Sequence, residues 1–189
     1  MDARAPRLRT FAAAAFLWGA AEAFLFFVVP DVLLAWVALR RGLKAALICS
    51  LLAAAGATLG GAAMYGWAAR SPETAARAVE AVPAVQDGST DRAVEAMRRE
   101  GWFRAAATGA FAGRPYKLYS AAAPRAGVKP AAWVAGAAPI RLPRFLMMSV
   151  GFAALGALLR ERMDRRMMLA VYGTGWALFY AAFWTVTPG

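Results

Sequence analysis

Between Ala45 and Ala69 the chain runs for 25 residues without a charged side chain. At about 1.5 Å of rise per residue such a helix exceeds the hydrocarbon core of a bilayer, about 30 Å. That feature excludes most soluble folds, and four further apolar stretches accompany it: Thr10–Leu39, Trp102–Ala123, Ala131–Leu159 and Met167–Thr187. Of the 189 residues 61% are hydrophobic and 17% charged, where soluble domains carry roughly 45–50% and about 25%. The chain reads as one all-α membrane domain over 1–189.

The net charge of +11 does not point to nucleic acid. The Lys and Arg residues lie largely in short loops between apolar runs, the positive-inside pattern of a membrane protein. The chain has no histidine and a single cysteine, Cys49, inside an apolar run. A Ser-His-Asp triad, a His-bearing zinc site and an intrachain disulfide are therefore excluded. No glycine-rich phosphate loop sits between a strand and a helix. The sequence predicts no enzyme, no metal and no cofactor. Arg4, Arg7 and Arg9 ahead of an apolar run, with Ala21-Glu22-Ala23, imitate a secretory signal. The apolar run continues past that point through Phe24–Val29, which predicts a retained segment.

Two of the stretches are interrupted. Thr10–Leu39 holds Glu22 and Asp31 and is broken by Pro30. A charge at the centre of a spanning helix costs roughly 2.5–3.5 kcal/mol on the insertion scale, and a proline removes a backbone hydrogen bond. A re-entrant helical hairpin fits both the length and the break, provided protein or water shields it. Trp102–Ala123 repeats the pattern with opposite charge at Gly113-Arg114-Pro115-Tyr116-Lys117. Each interrupted stretch precedes a longer helix, so the expected organisation is hairpin and span over 10–69, then again over 102–160, and a final span over 167–187. Paired breaks in matching positions suggest an inverted repeat, giving two re-entrant hairpins and about three full spans. Residues 71–101 read as an amphipathic extramembrane segment broken at Pro83–Ser89. With both hairpins re-entrant, the N-terminus, Arg40–Lys44 and Arg160–Arg166 share one basic side, predicting a cytoplasmic N-terminus and an outer C-terminus.

Arg141 and Arg144 stand three residues apart, on one face of the helix expected over 131–159. Intramembrane charges face a bundle interior or a wet cavity, so Glu22, Asp31, Arg114, Lys117, Arg141 and Arg144 are expected to converge. Four cations against two carboxylates leave a buried excess that an anion offsets, and arginine suits bidentate contact with phosphate. The alternatives are ion pairs that serve register only, or Lys117 and Arg144 snorkelling to an interface. Gly56, Gly60, Gly61 and Gly66 form a helix-packing stripe. Met147, Met148, Met167 and Met168 read as lipid-facing filler, and Trp176, Phe179, Tyr180, Phe183 and Trp184 as an interface belt. Tyr116 and Tyr119 are placed either along a cavity or at the interface.

At these residues the sequence resembles the DedA superfamily (the VTT or SNARE-associated domain family), and within it the YqaA-like branch. The resemblance lies in Glu22 through Leu34 with its Pro30-Asp31, in Gly113 through Lys117 followed by Gly127 and Trp133, and in Arg141-Leu-Pro-Arg144-Phe145. It covers about 10–159, departing where Ile140 replaces a glycine and Pro143 intrudes. It implies two re-entrant hairpins in an inverted repeat, in the inner membrane of a bacterium. It also implies flipping or scrambling of an anionic lipid, such as undecaprenyl phosphate or a phospholipid. By the same resemblance Glu22 and Asp31 respond to protons, while Arg114, Arg141 and Arg144, with Lys117 and Tyr116 beside them, hold phosphate. A proton-coupled carrier of a small anion and a non-transporting scaffold are the competing expectations. A homo-oligomer is compatible with all three.

Overall fold

Proline and glycine set where the helices stop. The computed structural model describes residues 8–24, 27–83, 85–159 and 162–186, and among these there are nine helices and no strand. Helix α1 (Leu8–Phe24) is followed by the non-helical residues 27–30, and α2 (Asp31–Arg41) starts directly after Pro30. Gly42, at φ 78°, turns the chain into α3 (Leu43–Arg70), a backbone angle that costs a residue with a Cβ. Then come α4 (Pro72–Glu80), α5 (Ser89–Glu100), α6 (Trp102–Phe111), α7 (Tyr116–Ala122), α8 (Pro130–Leu159) and α9 (Arg165–Val186). Helix α8 continues through Pro139 and Pro143, although each proline lacks the N–H that would bond the preceding turn. Arg4, Arg7, Arg160 and Glu161, on which part of the loop-charge expectation rests, lie outside the described residues.

The chain turns back at the first break. The Trp18 indole N–H donates to Val28 O at 2.9 Å, and the Arg41 guanidinium stands 5.8 Å from the Phe11 ring. The end of α2 therefore lies beside the start of α1. Helix α1 packs on α3 with backbone against backbone: a Cβ on Gly56 would come within 1.9 Å of Phe16 O, and one on Gly60 within 2.1 Å of Ala20 O. The glycine stripe is not uniform, because Gly61 admits the Tyr116 ring and Gly66 has nothing within 4 Å. Helices α3 and α8 run antiparallel, joined by the Ser50 and Ser149 hydroxyls at 2.8 Å and by Tyr65 Oη donating to Val128 O at 2.6 Å. Two correspondences join the two halves. Helix α1 rests on α3 as α6 rests on α8, and α2 crosses to α8 as α7 crosses to α3.

Helices α4 and α5, within the stretch read as amphipathic, turn their apolar side onto the protein itself. They bury Val79, Val94 and Met97 in the same core as Tyr116 and Trp133, and so form a cap over α6 and α7. Arg125 fastens this cap, bonding Asp91 at 2.7 Å while its carbonyl accepts from Arg98 at 2.6 Å.

The polarity of the molecule is inverted relative to a soluble bundle. Leu51, Leu59, Met147, Val150 and Leu158 are exposed, Leu158 at 73%, whereas Glu22, Asp31, Lys117 and Arg141 are buried. Apolar surface of that extent marks an interaction with lipid or protein. Helices α3 and α8 are long and apolar enough to cross a membrane, and only 17% of the apolar stretch of α8 is buried. The seat of α1 on α3 predicts that Gly60→Leu destabilises the purified protein by about 1–3 kcal/mol. The readout is a lower thermal unfolding midpoint in detergent, with Gly66→Leu unchanged. Equal midpoints for the two variants would show that α1 does not rest on α3.

Candidate functional site

The first break carries two carboxylates to α8, where two arginines receive them. Glu22 sits in the last turn of α1, and Arg141 Nη2 meets its Oε2 at 2.5 Å, with both side chains 3% exposed. Asp31 opens α2, where a negative charge is favoured by the helix dipole. Its Oδ2 accepts from Arg144 Nε at 2.9 Å and lies 2.7 Å from Arg144 Nη2. Asp31 Oδ1 accepts no hydrogen bond from a described residue. The i, i+3 spacing of the arginines thus matches two carboxylates on either side of one break.

The second break contributes through α7. Lys117 is buried, close enough to Glu22 and Arg141 to feel both charges, so it does not snorkel to an interface. Tyr116 is buried and stacked on Trp133, with ring centroids 5.4 Å apart and planes 10° from parallel. The Arg141 guanidinium lies 5.4 Å from the Tyr116 ring and 4.8 Å from the Phe145 ring, within cation–π range. Two aromatic faces and a carboxylate thereby hold Arg141 in place. Arg144 is 22% exposed and donates from Nη1 to Ala110 O at 2.7 Å. It thereby satisfies a carbonyl at the end of α6 that has no helical partner. Arg144 consequently ties α2, α6 and α8 together at both breaks.

Five of the six expected charges converge, and Arg114 does not. Gly113 at φ 76° and Pro115 in extended conformation turn the chain between α6 and α7. Arg114 projects outward there, its Nη1 3.4 Å from Tyr119 Oη. It lines a separate cavity of about 360 Å3 below the cap. Tyr119 itself is buried against Gly109. The enclosed set is therefore three cations and two carboxylates, one formal positive charge in excess.

A larger cavity, about 420 Å3, lies between α2, α8 and α9. Asp31 and Arg144 stand at one end, and Met148, Phe152, Met168, Tyr172, Trp176 and Phe179 are among its walls. Met147 and Met167 face outward as expected, but Met148 and Met168 face this cavity. Helix α9 likewise departs from a simple interface belt. Tyr180 Oη accepts from the Val29 N–H at 3.2 Å, and Tyr172 Oη donates to Val32 O. These hydroxyls complete backbone groups beside the first break. Their eight-residue spacing, a little over two helical turns, does not single them out in a helix as aromatic as α9. Trp133, Phe145 and Gly61 also belong to the site without a chemical signal of their own.

Comparison with protein-family models, with curated proteins and with solved structures finds no match. The site's geometry therefore carries the chemistry. Removing one partner of a buried pair strands the other charge at a cost of about 3–5 kcal/mol, whereas replacing both by apolar groups is often neutral. Glu22→Gln should accordingly lower unfolding stability by about that amount, and Glu22→Leu combined with Arg141→Met should recover most of the loss. Denaturant titration of purified protein measures both. A double variant as unstable as the single would show that the two groups are not partners.

Proposed function

We propose that the protein spans a membrane and moves an anionic lipid between leaflets, holding it by its phosphate. The observation that carries this reading is the 420 Å3 cavity with apolar walls and one ion pair, Asp31–Arg144, at its end. Its volume falls in the range of ligand cavities, about 300–1,000 Å3, and its polarity follows that of an amphiphile. A small water-soluble anion would gain nothing from methionine and aromatic walls, which favours a lipid over the solute-carrier reading.

In this account α3, α8 and α9 are the spans, and α1–α2 and α6–α7 are re-entrant hairpins. The antiparallel α3 and α8, and the reciprocal crossing of α2 and α7, support an inverted repeat. The same arrangement supports the resemblance to the DedA superfamily. The N-terminus is cytoplasmic and the C-terminus outside, in the inner membrane of a bacterium, by the basic loops at Arg40–Lys44 and Arg162–Arg166.

The chemistry follows from charge. Asp31 occupies Arg144 through one oxygen, so a phosphate binds only when that carboxylate yields its place. Protonation of Asp31 together with entry of a singly charged phosphate exchanges one negative charge for another at Arg144, leaving the buried count unchanged, which is the least costly exchange in a low dielectric. Glu22 keeps Arg141 in place meanwhile, and the formal excess from Lys117 favours the anion further. Lipid movement, with no bond made or broken, is then the whole activity.

Reconstitution tests this. Vesicles containing the protein should move a labelled polyprenyl phosphate between leaflets. Arg144→Gln, recovered folded, should slow that movement at least about tenfold, since it removes charge-assisted bonds to phosphate. Met147→Ala, on the outward face, should match wild type. Equal flux in Arg144→Gln and wild type overturns the proposal, and uptake of soluble phosphate without lipid movement replaces it with the carrier. An undiminished cellular phenotype in a folded Arg144→Gln would favour a scaffold.

A further inference from the structure

We infer that the 360 Å3 cavity beneath the cap is a second anion site, built by Arg92 and Ser89 of α5 and by Arg114 and Tyr119 at the second break. Its ligand class is a phosphate group, and the inference rests on the lipid-transport reading for where that phosphate comes from. Arg92 and Arg114 both line this cavity, and no carboxylate is among its described lining residues. Arg92 Nη2 is anchored by Ser89 Oγ at 2.7 Å and its Nη1 by Asp87 O at 3.2 Å, while Arg114 Nη1 lies 3.4 Å from Tyr119 Oη. Arg92 is thus steadied through both terminal nitrogens and Arg114 through one, and a planar fork fixed in that way retains donors for a phosphate. Glu100 also acts on Arg114, but both guanidinium groups border this cavity, so an anion lodged there would meet two cations.

The position of this cavity gives it a place in the transport path. Phe183 of α9 lines it, whereas Phe179, one helical turn earlier, lines the larger cavity. The two rings stack 6.2 Å apart with planes 12° from parallel, so one aromatic turn of α9 stands between the cavities. Arg144 borders the same partition from the other side. It lines the larger cavity and bonds Ala110 O, two residues before Ala112 on the wall of the second. On the lipid-transport reading, Arg114 and Arg92 thereby offer a phosphate a second stop beyond Phe179 and Phe183. Gln86 adds an amide to the polar rim. The cap contributes binding groups and is not only a cover.

Isothermal titration of the full-length protein in neutral detergent tests this, with inorganic phosphate and dihexanoyl phosphatidic acid as separate probes. Wild type should show two sites for the lipid. Arg92→Gln should weaken one of them about tenfold or more, as loss of a charge-assisted bond does, and Arg92→Lys should restore most of it. Arg92 is exposed, so its replacement leaves the core intact. Arg144→Gln should remove the other site and spare this one. Comparable affinity for inorganic phosphate would identify the bare phosphate group as the ligand. A preference for the lipid would identify the head group with its glycerol against Phe183. Identical titrations for Arg92→Gln and wild type overturn the second site, even with the Arg144 site intact. Loss at Arg92→Gln with none at Arg144→Gln supports the second site and instead removes the transport site.

Discussion

Two ion pairs, Glu22 with Arg141 and Asp31 with Arg144, fasten a broken helix to an unbroken one, and the rest of the structure follows from them. A break in a helix exposes backbone groups that cannot be left bare in an apolar setting. The pairs bring α8 to the break. Trp18, Tyr172 and Tyr180 then satisfy Val28, Val32 and Val29 with side-chain bonds. Arg144 extends the arrangement by taking the last-turn carbonyl of α6 as well. One side chain thereby serves both breaks, which explains why an arginine stands there. Lysine, with a compact ammonium, presents no planar fork spanning a carboxylate and a carbonyl.

Burying charge while exposing leucine suits the apolar surroundings that the proposed membrane setting supplies. In water, the exposed faces of α3 and α8 would drive association, and the enclosed charges would gain from hydration. In hydrocarbon both preferences reverse. The apolar faces are solvated and the charges have nowhere better to go than one another. Small residues let this happen: Gly56 and Gly60 bring α1 against α3, and Gly61 makes room for the Tyr116 ring that backs Arg141. Aromatic faces on Arg141 then fix the ion pair without adding a further charge.

Much of this was legible in the sequence. The stretches over 45–69 and 131–159 correspond to α3 and α8, and the breaks fall at Pro30 and around Gly113–Pro115. Those features depend on local chemistry, proline geometry and uninterrupted hydropathy, which a sequence displays directly. The meeting of Glu22, Asp31, Lys117, Arg141 and Arg144 followed from the cost of burying any of them alone. Arg114 escaped because its direction depends on a left-handed glycine and a proline on either side, and neither states which way the intervening side chain turns. The cap escaped for another reason. The apolar side of α4 and α5 is plain in the sequence, but whether lipid or protein covers it depends on α6 and α7, far along the chain. The inward turn of Tyr172 and Tyr180 was hidden because α9 is aromatic on several sides.

In the proposed membrane setting the outward face of α8 meets hydrocarbon while its opposite face holds the charges. Spin labels at positions 147, 150 and 158, in protein reconstituted in lipid bilayers, measure this through collision with oxygen and with a water-soluble nickel chelate. Oxygen should relax all three labels strongly and nickel weakly. Strong relaxation by nickel at those positions would place that face in water and contradict the account.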